Sequence, residues 1–244
     1  MKELVVAIHQ PNYLAYPGFF DKWDRADLFV LLDHVPYSRS GWQNRNYVRG
    51  PNGPLRLTVP VVRGAGTPIA AARIAPATAW QRKHRTSLAL SYGRAPCFPF
   101  CEPLLDELYR RDWHTLGELG VAGCRAIAGL LGITTPSVTS GELGPFDCAK
   151  TDLLVEICRR VGATAYLSGD GAAVYIDAAA FDRAGIELRW QGYRPPVYAQ
   201  HPARGDFVAG LSIVDMAANL GQATLDRLRL GRAVTRPGKV VGRG

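Results

Sequence analysis

Apolar residues in this chain fall into short continuous runs and longer segments of helical period. The run ELVVAI (3–8) alternates too little for a half-exposed strand and predicts a buried one. LFVLLDHV (28–35) predicts a second buried strand, and LRLTVPVV (55–62) a third whose Pro60 marks an edge or the strand's end. Between the first two, Pro17-Gly18 breaks the chain, and FFDKWDRAD predicts a short amphipathic helix with Phe20, Trp23 and Ala26 on one face. Residues 36–53 read as a loop carrying the turn signal Pro51-Asn52-Gly53. Helical patterning covers 80–92, 101–109 and 113–131, the last interrupted by glycines and stopped at Gly132. A short strand follows in ITTPSVTSGEL. Apolar positions 153, 154, 157, 158 and 161 then give a core-facing helix over 148–162. TAYLSGDGAAVYI predicts a strand entering a Gly-rich turn, FDRAGIELRWQGY a helix end and another strand, and SIVDMAANLG a late helix.

Strand–helix–strand alternation implies an α/β fold: a single Rossmann-like domain, its largely parallel sheet flanked by helices, with a helical insertion around 80–131. The domain is expected over 1–221. Residues 222–244 read as a basic, flexible tail, with six Arg/Lys against one acid among 244 residues of net charge +8. The body is thus only mildly basic, and no nucleic-acid signature is present. No apolar run approaches a membrane span, and MKELVVAIHQ is too short for a signal peptide's apolar core, so a cytoplasmic location is expected. Five cysteines at irregular spacings read as reduced, packed thiols. Cys97 and Cys101 form C-x3-C without a second ligand pair, so no metal and no cofactor is expected.

Candidate chemistry gathers where strands end, the edge at which open parallel sheets bind ligands. His9-Gln10, Asp33-His34 and Ser168-Gly169-Asp170-Gly171 share that edge if their strands are neighbours. His9 titrates near neutrality when unperturbed, and so suits proton transfer from an attacking amine or hydroxyl. Asp33 is placed to orient it, and His34 is an equal candidate for the base. The structural alternatives are a histidine bonded to a backbone carbonyl and an aspartate capping a turn. Gln43, Asn44 and Asn46, beside Trp42 and Arg45, offer both donors and acceptors to a sugar or amide-bearing ligand. Gln10, Asn12 and Tyr13 complete the first cluster. Ser168, Asp170 and Tyr175 lie on a turn that resembles a phosphate cradle but lacks its full glycine pattern. Cys148, beside Lys150 at a helix start, is a further nucleophile candidate.

The runs AIHQPNYLAYPGFFDKWDRADLFVLLDHVPYSRSGWQNRN, LTVPV, YLSGDGAAVYID and LSIVDMAANLG together resemble the WbqC-like protein family, over nearly the whole chain to about residue 221. The family pattern falls on His9 to Tyr13, Gly18, Asp21-Lys22, Asp33, Trp42 to Asn46, Lys83-His84, Lys150-Thr151, Ser168-Gly169, Tyr175 and Gln191. The chain departs from it at Ala15-Tyr16, where Pro-Trp is usual, and at His34, where a second acid is common. The resemblance implies a biosynthetic protein of O-antigen or natural-product pathways more securely than it implies a reaction. A looser likeness, a strand ending in His followed by Pro, Gly and a helix, is to HIGH-type nucleotidyltransferases. Their second His beside the Gly is absent, Phe19 standing there.

These features lead to an acyl- or aminoacyltransferase. It would move an acyl group from a carrier-protein thioester to an amine or amino-sugar acceptor. His9 and Asp33 would be catalytic, and Gln10, Asn12, Tyr13, Gln43, Asn44, Asn46, Ser168, Asp170 and Tyr175 would bind substrate. An acidic carrier protein is the partner the cationic tail suits. The alternatives are nucleotidyl or adenylate transfer, and a non-catalytic protein that binds a sugar or a carrier.

Overall fold

The computed structural model describes residues 3–62, 66–76, 79–201 and 205–232. Its frame is a five-stranded sheet of β1 (Val5–His9), β2 (Leu28–Leu31), β5 (Ser137–Thr139), β6 (Ala165–Ser168) and β7 (Glu187–Trp190). Every pairing is parallel, in the spatial order β5-β2-β1-β6-β7. The chain therefore builds outward from β1 to one side, then returns to its other side through β6 and β7. That reversal makes the gap between the ends of β1 and β6 the topological switch point of a Rossmann-like sheet.

The buried apolar strands follow from having both faces covered. Ala7, Phe29, Leu31 and Leu167 face a core shared with α1 (Pro17–Asp24), the insertion and α7 (Ile213–Leu220). Val6, Ile8, Val30 and Tyr166 face the other core, under α5 (Lys150–Arg160) and α6 (Ala178–Ala184). The helical insertion is α2 (Trp80–Tyr92), α3 (Phe98–Arg110) and α4 (Leu116–Leu131). Thr115 and Glu118 form a capping box at the start of α4, and Gly132 ends the helix at φ 81°. The glycines that seemed to interrupt α4 let it pack closely. A Cβ on Gly117 would lie 2.5 Å from the Ala70 backbone, and one on Gly120 3.0 Å from Pro11.

Two expectations are corrected. The run at 55–62 does not join the main sheet: β4 (Gly53–Thr58) pairs antiparallel with β3 (Arg45–Gly50), a strand within the segment read as loop. The cause is the Pro51-Asn52-Gly53 turn, with Gly53 at φ 117°, which folds the chain back on itself. Residues 222–232, assigned to a solvated tail, are folded as a 3-10 turn and α8 (Thr224–Arg229). Arg229 binds both oxygens of Asp24 at 2.8 and 2.9 Å, and Arg232 binds Asp21 at 2.7 Å and also Asp24. Residues 233–244, the rest of that tail, lie outside the described residues.

Candidate functional site

His9 closes β1, and its half-buried ring stands at the switch point. Nδ1 is 2.9 Å from the carbonyl of Gln10, which fixes the tautomer with Nδ1 carrying the proton. Phe19 meets the ring edge-on, at 5.0 Å between centroids. Nε2 has no hydrogen-bond partner among the described residues. Burial, reinforced by the nearby Lys22 ammonium, lowers the His9 pKa to about 3, against the raising effect of the Gln10 bond. The imidazole is therefore neutral at physiological pH and presents an open acceptor nitrogen.

Lys22 is the residue whose position the sequence reading did not weigh. It is 3% exposed, and Nζ donates to the Ile8 carbonyl at 3.0 Å. In a parallel strand, successive carbonyls point to opposite neighbours. The His9 carbonyl accepts from Leu32 on the β2 side, so that of Ile8 faces β6. Pairing with β6 ends at Ala7–Leu167, and the Lys22 amine takes the carbonyl just past the end of the ladder. Burial lowers its pKa to about 7. A lysine among Phe19, Phe20 and Trp23, all buried on α1, was the available signal.

The polar residues after His9 divide by task. Gln43 Nε2 donates to Gln10 Oε1, joining the β3 approach to the end of β1. Asn12 is buried, and its side-chain amide has no hydrogen bond among the described residues. Gln43 Oε1 and Asn44 Oδ1 are buried acceptors without a partner among the described residues, while Asn44 Nδ2 donates to the Val59 carbonyl at 2.8 Å. Asn46 is fully engaged: Nδ2 holds the carbonyls of Tyr13 and Leu14 at 3.2 and 2.7 Å, and Oδ1 accepts from Tyr47 N. It secures the turn in which Leu14 adopts φ 43°. The Tyr13 hydroxyl lies in the insertion, 2.8 Å from His84 Nδ1 and 2.5 Å from the Tyr109 hydroxyl. Its burial raises the phenol's pKa well above the usual range, with Tyr109 adding to the effect, and burial of the His84 ring lowers that imidazole to about 4 against the raising effect of a bond to the Thr58 backbone.

Asp33 is not bonded to His9. Its Oδ1 accepts from Ser140 Oγ at 2.9 Å and from Gly141 N at 3.0 Å, at the joined ends of β2 and β5. Ser140 Oγ also lies 2.6 Å from His34 Nδ1, and His34 stacks on Phe146. Asp33 and His34 thus form a second polar group one strand away from His9. What orients the imidazole is the Gln10 backbone, which replaces the expected His9–Asp33 pairing.

Across the switch point, Ser168 ends β6 fully buried, and Asp170 opens a 3-10 turn with Oδ1 accepting from Gly192 N at 2.8 Å. Tyr175 is 63% exposed at the end of that turn. Gln191, just beyond β7, donates to the Gly18 carbonyl at 2.6 Å and to Asp21 at 2.9 Å. Asp21 also receives Arg232 and lies 3.6 Å from Arg25. This buried group ties the start of α1 to the end of β7. Two surface depressions, about 610 Å3 between α2 and α3 and about 420 Å3 along α5, contain none of the predicted site residues, though Cys148 lines the second. Among the described residues no cluster of three or more His, Cys, Asp or Glu is arranged to hold a metal, and no helix is long and apolar enough to cross a membrane.

The fold is an α/β domain whose parallel sheet reverses its winding direction between β1 and β6, with polar residues at the strand ends there. The model of the WbqC-like protein family matches residues 10–227, and the chain belongs to that family. The match runs into α8, which agrees with the folded state of residues 222–232. The chain is also similar to the uncharacterized protein Rv1507c of Mycobacterium tuberculosis: 33% identical over 232 residues, covering 93% of this chain and 98% of the relative. No solved structure gives a significant match.

Proposed function

We propose that the protein is an acyl- or aminoacyltransferase. In this reading the switch-point crevice positions an amine or amino-sugar acceptor against an acyl thioester carried on an acidic carrier protein. The observation that carries the reading is the His9 imidazole, held as the neutral tautomer by the Gln10 carbonyl with Nε2 open. The acceptor nitrogen attacks the thioester carbonyl and forms the C–N bond. The proton it then sheds passes to His9 Nε2. Collapse of the tetrahedral intermediate breaks the C–S bond, and the departing thiolate takes that proton, leaving an amide and a free carrier thiol. The nitrogen becomes more acidic once bonded to the tetrahedral carbon, and the negative charge on that intermediate raises the basicity of the imidazole toward the operating pH, where proton transfer is most efficient. The Gln10–Gln43 amides and the Asn12 amide supply hydrogen bonds to the two reactants.

Arg229 and Arg232 are bound to Asp24 and Asp21, so the carrier would meet other cations, among them the exposed Arg227. The test is incubation with acylated carrier protein and a panel of amines and amino sugars, followed by mass spectrometry of acceptor and carrier. A mass gain on an acceptor matched by loss from the carrier supports the reading; an acyl carrier that stays intact with every acceptor opposes it.

A second reading, nucleotidyl or adenylate transfer, is favoured by the strand order, which is that of doubly wound nucleotide-binding sheets. It requires heat of binding from ATP or CTP with magnesium. A flat calorimetric trace with both removes it.

A further inference from the structure

Acyl transfer as described leaves Lys22 without a task. Its side chain runs from the inward face of α1 to the open end of the β1–β6 seam. Of its three N–H groups one reaches the Ile8 carbonyl, and the other two meet no acceptor among the described residues. Among the described residues no carboxylate pairs with it. The acids of its own helix are engaged elsewhere, Asp21 with Arg232, Arg25 and Gln191, and Asp24 with Arg229 and Arg232. From β1 the titratable neighbour is His9, held neutral, and the charged groups that reach α1 from the C-terminal segment are Arg229 on α8 and Arg232 just after it, both bound to Asp21 or Asp24. Buried lysines are rare and are normally paired. One left unpaired shifts toward its neutral form, and a counter-charge brought to it would restore the charged one.

We propose that the β1–β6 switch point is an oxyanion-binding site in which Lys22 Nζ supplies the positive charge for a carboxylate or phosphate group of the ligand. The anion takes the two unused N–H groups, while the Ile8 carbonyl keeps the amine in place. Attraction between the two charges at this buried amine exceeds what bulk water would allow. Binding therefore draws a proton onto the amine, whose pKa near 7 leaves it partly unprotonated beforehand. This deepens the acyl-transfer reading by giving one substrate an anionic group, and it rests on that reading only for placing a substrate in this crevice.

The experiment uses the whole protein with 13C at the lysine Cε positions. The chain has five lysines, so Lys22 is assigned as the signal lost in Lys22→Arg, or in Lys22→Met if the arginine variant does not fold. Its titration is followed in chloride, then with sodium acetate or inorganic phosphate in the tens of millimolar at matched ionic strength. The expected midpoint is near 7 in chloride and about one unit or more higher with an anion, equivalent to roughly tenfold tighter anion binding when the amine is charged. A larger rise with phosphate assigns a phosphate-bearing ligand, and a larger rise with acetate a carboxylate-bearing one. A midpoint that neither anion moves overturns the proposal, as does a Lys22 that already titrates with the exposed lysines. The readout needs no turnover, so its failure removes the oxyanion site and leaves the transfer assay to decide the acyl-transfer reading separately.

Discussion

Replacing Lys22 with methionine keeps the aliphatic stem and removes the charge. Burial lowers the amine from 10.5 to about 7, which below neutrality amounts to a destabilisation of the folded state of about 5 kcal/mol as an upper value. The substitution also strips the Ile8 carbonyl of its donor, costing about 1–2 kcal/mol. Lys22→Met is therefore expected to be more stable than the wild type by about 2–4 kcal/mol near pH 6. The sign with pH follows from the depressed folded-state pKa. Between about 7 and 10.5 the unfolded chain binds more protons than the folded one, so wild-type stability rises as the pH is raised through that window. The variant's advantage accordingly shrinks above neutrality and reverses at alkaline pH, where only the lost hydrogen bond remains. Urea unfolding at several pH values, read by tryptophan fluorescence, measures this directly, because Trp23 stacks on Phe29 in the same helix's core. A difference between the two proteins that is the same near pH 6 and pH 9 would refute the reasoning. So would a methionine variant less stable than the wild type near pH 6.

Asn46→Ala removes the two donors that hold the Tyr13 and Leu14 carbonyls and should cost about 2–3 kcal/mol in urea unfolding. Two glycines of α4 should respond in opposite directions when changed to alanine. Gly117→Ala drives a methyl into the Ala70 backbone and loses about 2 kcal/mol or more, whereas Gly129→Ala meets nothing within 4 Å and gains about 0.5–1 kcal/mol. Asp21→Ala strands Arg232 and Gln191 together and should loosen the C-terminal segment, so limited proteolysis is expected to cut near residue 230 well before the wild type is cut there.

What the sequence disclosed was mostly local. β1 was legible because both its faces are apolar, and α5 because its apolar positions keep helical spacing. β3 was not, since Arg45-Asn46-Tyr47-Val48-Arg49 reads as polar loop until one sees Arg49 Nη1 bound to Gln200, 151 positions away. The same distance problem hid the role of Asp33. Its partner Ser140 lies 107 positions along the chain, and only the β2–β5 pairing brings the two together. Arg229 and Arg232 looked like free tail charges because Asp24 and Asp21 lie more than two hundred positions earlier. The polar ending of β1 was visible from the start. That it faces β6, and that Lys22 fills the gap between them, depends on strand order, which no local pattern encodes.

The central claim is that His9, held by a backbone carbonyl and not by Asp33, receives the acceptor's proton. The direct measurement is the single-turnover transfer rate from an acylated carrier protein to an amine acceptor for wild type, His9→Ala and Asp33→Asn. The account predicts a loss of about 100-fold or more in His9→Ala and a change of only a few-fold in Asp33→Asn, with both variants folded by circular dichroism. A His9→Ala protein that transfers as fast as the wild type, or an Asp33→Asn protein as slow as His9→Ala, would contradict it.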